Sequence, residues 1–205
     1  MTNLFDNLAD EYDQWYEDNP LILQSEIEAI RQVTPPYRQA LEVGVGTGRF
    51  ASALGIGLGL EPSPPMAALA KARGITVVRG RAENLPFHDQ SLDCLFMITV
   101  DCFLAQLAPV FSECLRVLEP GGHLVIGHID IDAPPGEVYL REQDQDPFFR
   151  EASFRGSRQV LEALDQAGFQ IQTIRQTVYS FDNVIHPIKE GHGEGVFVAL
   201  CALKP

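Results

Sequence analysis

Leu41-Glu42-Val43-Gly44-Val45-Gly46-Thr47-Gly48 is the stretch on which the reading of this chain turns. A short apolar run, Ala40 to Val43, carries an acid, passes through three alternating glycines and enters a candidate helix, Gly48 to Leu54. Glycine accepts backbone angles that other residues resist and lets a ligand approach the main chain with no Cβ in the way. A tight strand-to-helix turn also needs glycine for its own sake, so this turn alone leaves a purely structural reading open. A dinucleotide site usually reads G-x-G-x-x-G and sets a pyrophosphate on the helix N-terminus. Here the spacing is G-x-G-x-G, and the carboxylate of Glu42 repels a phosphate and suits a cationic group.

Outward from this turn the texture is constant as far as Ile129. Further apolar runs at Ile56 to Leu60, Thr76 to Arg79, Cys94 to Ile98 and His123 to Ile129 read as strands. Candidate helices fall between them at Pro65 to Arg73 and Leu104 to Leu118. Strands alternating with helices describe a parallel sheet wrapped on both faces. Glu61 follows the second strand, nineteen positions beyond Glu42. An acid about 20 residues on, at that strand end, can accept hydrogen bonds from both hydroxyls of a ribose. A solvated loop carboxylate is the plain alternative.

The two ends of the chain differ from this middle. Before Pro20, apolar residues from Leu4 to Tyr16 recur at helical spacing, and a second amphipathic stretch carries Leu21, Ile22, Ile27, Ile30 and Val33 until Thr34-Pro35-Pro36 stops it. Near the other end a helix from Arg158 to Ala167 stops at Gly168 and is followed by a β-rich run, Phe169 to Tyr179. A loop containing His186 and His192, read as exposed, leads to a closing strand, Gly195 to Leu203. A loop rather than a helix joins these two strands, which predicts an antiparallel pair at one edge of the sheet.

Composition narrows the function. At 205 residues, 45% hydrophobic and 21% charged, the chain should form one ordinary folded domain. Lys plus Arg total 15 against 28 Asp plus Glu, a formal charge of −13, which opposes a broad grip on nucleic acid. Cys94, Cys102, Cys114 and Cys201 lack metal-ligand spacing and read as buried free thiols, with no metal site expected. The opening Met1-Thr2-Asn3-Leu4 does not resemble a signal peptide, and no apolar stretch is long enough for stable membrane insertion, so cytoplasmic residence is the expectation.

With these residues in view, the chain resembles the class I S-adenosylmethionine-dependent methyltransferases, in particular the small-molecule group that includes the ubiquinone/menaquinone-biosynthesis enzymes. Five ordered blocks carry the resemblance: Glu42 to Gly48, Gly59-Leu60-Glu61-Pro62-Ser63 with Met66, Gly80 to Phe87, Ser91-Leu92-Asp93, and Arg116 to Gly122. The resemblance implies a doubly wound, mostly parallel, seven-stranded Rossmann-like α/β sheet with an antiparallel edge strand. It also implies an N-terminal helical cover over residues 1–36 and a cofactor-binding domain over residues 37–205.

It further implies roles residue by residue. Gly44, Gly46 and Gly48 would let the backbone approach S-adenosylmethionine, with Glu42 stabilising its ammonium end. Glu61 would bind the ribose hydroxyls, and Pro62 and Met66 would flank the adenine. Ala82 and Glu83 would read the adenine edge, Arg81 standing where the family often has an acid. Thr99 would line the cleft shared with the substrate, while Tyr12 and Tyr16 close over the methionine carboxylate. The sulfonium makes the methyl group electrophilic, so the protein mainly has to align an acceptor at about 3 to 3.5 Å and exclude water.

A base is optional in such chemistry. Asp101, just past the fourth strand, is the candidate catalytic residue, with a helix N-cap as its plain reading. His128, with Asp130 and Asp132 nearby, reads either as a carboxylate-assisted base or as a structural strand-end histidine. Tyr139, Phe148, Phe149 and Phe154 read either as an aromatic substrate cover or as packing for an inserted segment. No Asn-Pro-Pro-Tyr or Asp-Pro-Pro-Tyr motif follows the fourth strand, so a small or lipophilic acceptor fits better than an amide or base. The competing readings are a noncatalytic S-adenosylmethionine-binding sensor or partner protein, and a nicotinamide-dependent oxidoreductase holding a pyrophosphate at Gly46 to Phe50.

Overall fold

Strand β1, Ala40–Val43, lies inside the sheet with both faces covered, Leu41 and Val43 packing on one side and Ala40 on the other beside the buried Glu42. The computed structural model describes residues 4–205, so the opening Met1 to Asn3 lies outside the described residues. Strands β2 (Leu58–Leu60), β3 (Thr76–Val78), β4 (Leu92–Ile98), β5 (Leu118–Ile129), β6 (Gln170–Thr177), β7 (Lys189–Glu190) and β8 (Phe197–Leu203) complete one sheet in the order β3-β2-β1-β4-β5-β8-β6-β7. The first five strands are parallel, whereas β8 inserts antiparallel between β5 and β6. The sheet is therefore the doubly wound Rossmann-like one expected. The two-residue β7 adds an eighth strand, too short to leave an apolar run.

Side chains alternate across this sheet and divide the core in two. Phe96, Ile98, Val125 and Phe197 face helices α1 (Ala9–Asp18), α2 (Pro20–Val33) and α3 (Arg49–Leu54). Leu95, Met97, Leu124 and Leu200 face α5 (Leu107–Val117) and α7 (Ser157–Ala167). Helix α4 (Pro64–Ala72) joins β2 to β3, and α6 (Gly136–Glu142) follows β5. Pro20 separates α1 from α2 by serving as the first residue of the second helix, where its missing N–H costs nothing. Gly168 ends α7 in the left-handed region, φ 101°.

Boundaries shift where local geometry intervenes. β5 starts at Leu118 rather than His123, because Leu118 pairs with Leu92 and His123 with Cys94. Pro120-Gly121-Gly122 thus forms a bulge inside the strand rather than a turn before it. The helix expected from Leu104 begins only at Leu107, after a 3₁₀ turn over Asp101–Phe103. His186 is buried, at 6% exposure, where the sequence predicts an exposed loop. Its backbone N–H donates to Ser25 Oγ at 3.0 Å and its ring accepts from the Tyr179 N–H, so it locks the loop onto α2. All four cysteines are buried and free. No helix among the described residues is long and apolar enough to cross a membrane.

Strand order reverses between β1 and β4, and at such a switch point the loops part to leave a crevice at the carboxyl ends of the strands. The glycine turn leaves β1 at this point, and Thr99 follows β4.

Candidate active site

The glycine turn is anchored to β2 by N–H donation from Gly44 and Val45 to the Leu60 carbonyl, at 2.8 and 3.0 Å. Its three glycines serve different ends. A Cβ on Gly48 would meet Ala70 of α4 at 3.0 Å, so this glycine permits helix packing and does not border the crevice. A Cβ on Gly44 would stand 2.5 Å from Val100, which also serves packing. Gly46, at φ 53°, would meet nothing nearer than the Gly44 carbonyl at 4.0 Å, so its open side is the crevice itself.

Two buried carboxyl groups face this open side. Glu61 accepts the Gly46 N–H at 2.9 Å through Oε2 and the Ser63 N–H at 2.8 Å through Oε1, leaving each oxygen further accepting capacity. Burial pushes the Glu61 carboxyl up, while those two N–H groups pull it back. Glu42 is 2% exposed, and its Oε2 has no hydrogen-bonding partner among the described residues. Burial, reinforced by the neighbouring Glu61, holds the Glu42 carboxyl well above the usual range despite a backbone hydrogen bond from Ala51.

Three cavities adjoin. The central one, about 130 Å³, is walled by Glu42, Gly44, Gly46, Glu61, Pro62 and Met66, with Tyr12, Tyr16 and Thr99 at its inner end. An open groove of about 690 Å³ continues it past Pro62 to Arg81, Ala82 and Glu83. There the Arg81 guanidinium holds Glu83 at 3.1 Å. On the other side Tyr12, Tyr16 and Thr99 are shared with a chamber of about 360 Å³. Every cofactor residue expected from the sequence except Gly48 therefore borders either the central cavity or, for Ala82 and Glu83, the groove that continues it.

The junction is built with strain. Thr99 has φ 54° and Val178, in the chamber wall, φ 60°. A β-branched residue in that region stores roughly 1–3 kcal/mol, which the surrounding packing must hold. The Tyr12 and Tyr16 hydroxyls lie 3.1 Å apart. Burial raises both phenols, that of Tyr12 to about 12, so they remain neutral hydrogen-bonding groups.

The chamber is only partly visible in the sequence. Tyr139, Phe148 and Phe149 line it, which favours the aromatic-cover reading, and Phe154 supports Tyr139 and Phe149 from behind. Trp15, Phe181 and Phe197 add further ring surface. One residue there escapes sequence reasoning altogether: Glu26 of α2 is 9% exposed, lines the chamber, and its Oε2 has no partner among the described residues. Burial alone pushes its carboxyl up to about 8. A signal exists, since Ile22, Glu26 and Ile30 follow one another at helical i, i+4 spacing, which puts an acid on the apolar stripe.

Sequence reasoning also misses the clamp on the first helix. Asp13 accepts a bidentate pair from Arg49, at 2.8 and 2.7 Å, and a further bond from Arg73 at 2.7 Å. Arg49 also holds Glu17, and Arg73 donates to the Thr47 carbonyl, so α1 is tied to the glycine turn and to the end of α4.

Asp101 is placed differently from either sequence expectation. It is 1% exposed, walls none of the three cavities, and accepts no N-cap bond, its Oδ2 instead lying 2.7 Å from His128 Nδ1. The pair is a buried dyad behind the end of β4. Asp130 is turned elsewhere, accepting the Ser157 N–H at the start of α7 at 2.9 Å. His192 Nδ1 is 3.9 Å from Asp130 and does not join the dyad.

The residues present fit S-adenosylmethionine. The orphaned Glu42 Oε2 awaits a hydrogen-bond donor or cation, Gly46 leaves main chain bare, and Glu61 retains lone pairs for hydroxyls. Comparison with known proteins agrees. Residues 41–126 match the methyltransferase domain family. An uncharacterized protein of Methanocaldococcus jannaschii is 40% identical, over 98% of this chain and 99% of its own length. A malonyl-(acyl-carrier protein) O-methyltransferase of Methylococcus capsulatus is 30% identical over 71% of this chain and 57% of its own length. The crystal structure of a Thermotoga maritima S-adenosylmethionine-dependent methyltransferase, described as a possible histamine N-methyltransferase, superposes with a TM-score of 0.95. It is 35% identical, over 98% of this chain and 99% of that one. With a shared sequence, fold and crevice, the chain belongs to the class I S-adenosylmethionine-dependent methyltransferases, enzymes for which S-adenosylmethionine is the cofactor.

Proposed function

We propose that this enzyme methylates a small organic acceptor bound in the aromatic chamber, with Thr99, Tyr12 and Tyr16 forming the gate at which methyl group and acceptor meet. The observation that carries this reading is that these three residues wall both the central cavity and the chamber. S-adenosylmethionine, when bound, supplies a methyl group already activated by its sulfonium. Gly44 and Gly46 present bare main chain to it, Glu42 takes its ammonium end, and Glu61 clamps the ribose. Pro62 and Met66 flank the adenine, while Ala82 and Glu83 line its outer edge, with Arg81 occupying part of the carboxylate's capacity. Gly48 serves by allowing α4 to pack. Asp101 is a positioning residue, bracing the end of β4 through His128 rather than touching an acceptor.

Of the cover expected over residues 1–36, the described residues 4–36 act as one in this reading. Asp13 fixes that cover to Arg49 and Arg73, and Trp15 and Tyr16 help exclude water from the reacting centre. Its motifs resemble those of the ubiquinone/menaquinone-biosynthesis group, while one relative is described as a possible N-methyltransferase and another as an O-methyltransferase. The acceptor is thus a matter for the chamber's own chemistry. The test is formation of S-adenosylhomocysteine from S-adenosylmethionine across a panel of small amines, phenols, alcohols and carboxylates. Turnover that depends on a panel member, and falls when Thr99 is replaced by a bulkier residue, supports the reading. Cofactor binding with no acceptor-dependent turnover would instead support a sensor.

A further inference from the structure

The chamber contains one polar group with no evident structural employment. Glu26 lies nine-tenths buried on α2 in the wall of the chamber, and its Oε2 is unpartnered among the described residues. A buried carboxyl is costly to keep and, left unpaired, contributes nothing to folding. Charge in the chamber has one sign. Glu142 and Asp146 are its other acids, and no Lys, Arg or His is among its lining residues. Those two acids are already engaged: Glu142 holds Arg141 at 2.9 Å, and Asp146 accepts the Phe148 and Phe149 N–H groups. An acceptor bearing a carboxylate or phosphate would meet only repulsion. A cation would find a counter-ion in Glu26 and the aromatic rings of Trp15, Tyr139 and Phe149 in the same chamber.

We propose that the acceptor is a small amine taken up as its ammonium ion, and that Glu26 both pairs with this ammonium and removes the proton that blocks its nitrogen. The inference rests on the methyltransferase reading above and specifies its substrate class. In the proton step one N–H bond breaks with its electron pair left on nitrogen, and one O–H bond forms at Glu26. Ammonium and carboxylate thereby become neutral amine and neutral acid. The freed lone pair is the nucleophile that the gate presents to the methyl group. Burial suits Glu26 to this exchange, because a carboxyl raised to about 8 lies much nearer an aliphatic amine in basicity than an exposed one does. The other titratable groups facing the chamber are Tyr12, Tyr16 and Tyr139, all raised by burial, together with Glu142 and Asp146.

The test uses the full chain saturated with S-adenosylhomocysteine, and follows binding through the single tryptophan, Trp15, which lines the chamber. The probes are 2-phenylethylamine, 2-phenylethanol and 3-phenylpropanoate. The amine should bind about tenfold or more tightly than the alcohol, and the carboxylate most weakly. Amine binding should strengthen as pH rises toward about 8, the range over which Glu26 ionises. Glu26→Gln, which keeps the shape of the side chain, should erase both the amine preference and that pH dependence while leaving S-adenosylhomocysteine affinity and folding intact. Should the Gln variant fold poorly, Glu26→Leu carries the same expectation. Amine binding no tighter than alcohol binding, a preference that survives in either variant, or no detectable amine binding would each overturn the proposal. These outcomes leave the methyltransferase reading standing, whereas failure of the wild-type chain to bind S-adenosylhomocysteine would bring down both.

Discussion

On the side of Thr99 that holds Glu42 and Glu61, about half of the lining residues come from two short contiguous segments at the ends of β1 and β2, Glu42 with Gly44 to Thr47 and Glu61-Pro62. On the side that holds Glu26, they are side chains contributed by α1, α2, α6 and the loops near Val178 and Val196. The first half makes its contacts through glycines, backbone N–H groups and two acids whose positions follow from strand ends. The second half is lined by rings and by three acids, Glu26, Glu142 and Asp146, most of them carried on helices and loops outside the sheet. Under the proposed function, the contrast teaches that cofactor recognition is built into the fold's switch point, whereas acceptor recognition is added on the cover and the late loops.

The difference can be broken by substitution, most severely at the glycine turn. Gly46→Val inserts a branched side chain into the crevice at φ 53° and should abolish calorimetrically detectable S-adenosylhomocysteine binding, at a folding cost of only about 1–3 kcal/mol. Gly48→Val should reverse the balance, because its Cβ meets Ala70 rather than ligand: thermal stability falls more than affinity does. Equal losses at both positions would erase the distinction between a packing glycine and a binding one.

A second substitution measures the acid clamp. Glu61→Ala removes the carboxylate that gathers the Gly46 and Ser63 N–H groups and that is proposed to hold the ribose. It should cost about 2 to 4 kcal/mol of cofactor affinity, roughly 30- to 1,000-fold in Kd by calorimetry. Unchanged affinity would assign Glu61 to loop structure alone.

The acceptor half should respond in stability and not in cofactor affinity. Folding raises the Glu26 carboxyl from an ordinary value to about 8, so the native state binds the proton more tightly than the unfolded chain. The unliganded enzyme should therefore lose stability as pH rises from about 4 to 8, and Glu26→Gln should flatten that limb. The variant should be more stable than the wild type near pH 8 by on the order of 3 kcal/mol in denaturant melts. Identical pH profiles for the two proteins would show that burial does not perturb Glu26.

The smallest expected effect concerns the tie between the halves. Burial raises the Asp13 carboxyl, but hydrogen bonds from Arg49, Thr47 and Arg73 more than offset this and hold it well below the usual carboxylate range. A depressed acid contributes stability above its unfolded value of about 4 and loses it as pH falls through the folded one. Asp13→Asn should cost about 1–3 kcal/mol at neutral pH, and this deficit should narrow in acid. A deficit independent of pH would rule out the ion pair as its source.

The same contrast explains which parts of the fold and site are legible in the amino-acid sequence. Strand β1, the glycine turn and Glu61 are legible because a ligand held by backbone needs particular residue types at fixed distances along the chain. Thr99 is legible as the residue after β4. Glu26 is legible only through its i, i+4 spacing with Ile22 and Ile30, a signal masked by the adjoining polar Gln24-Ser25, and the packing of α2 against β6 and β8 is what puts Ser25 and Glu26 inside. The Asp13 clamp joins residues 36 and 60 positions apart, a separation that leaves no local pattern. Asp101 misleads in the opposite way: its place after a strand suggests exposure at a cleft, but it is buried and turned onto His128 of β5.

The most direct test of this division between cofactor crevice and acceptor chamber is a crystal structure of the enzyme with S-adenosylhomocysteine. The ribose is expected on Glu61, the amino group on Glu42, and the sulfur at the Thr99 gate facing the chamber that contains Trp15 and Glu26. A ligand whose sulfur faced away from that chamber, or a crevice closed by the chain's own side chains, would contradict it.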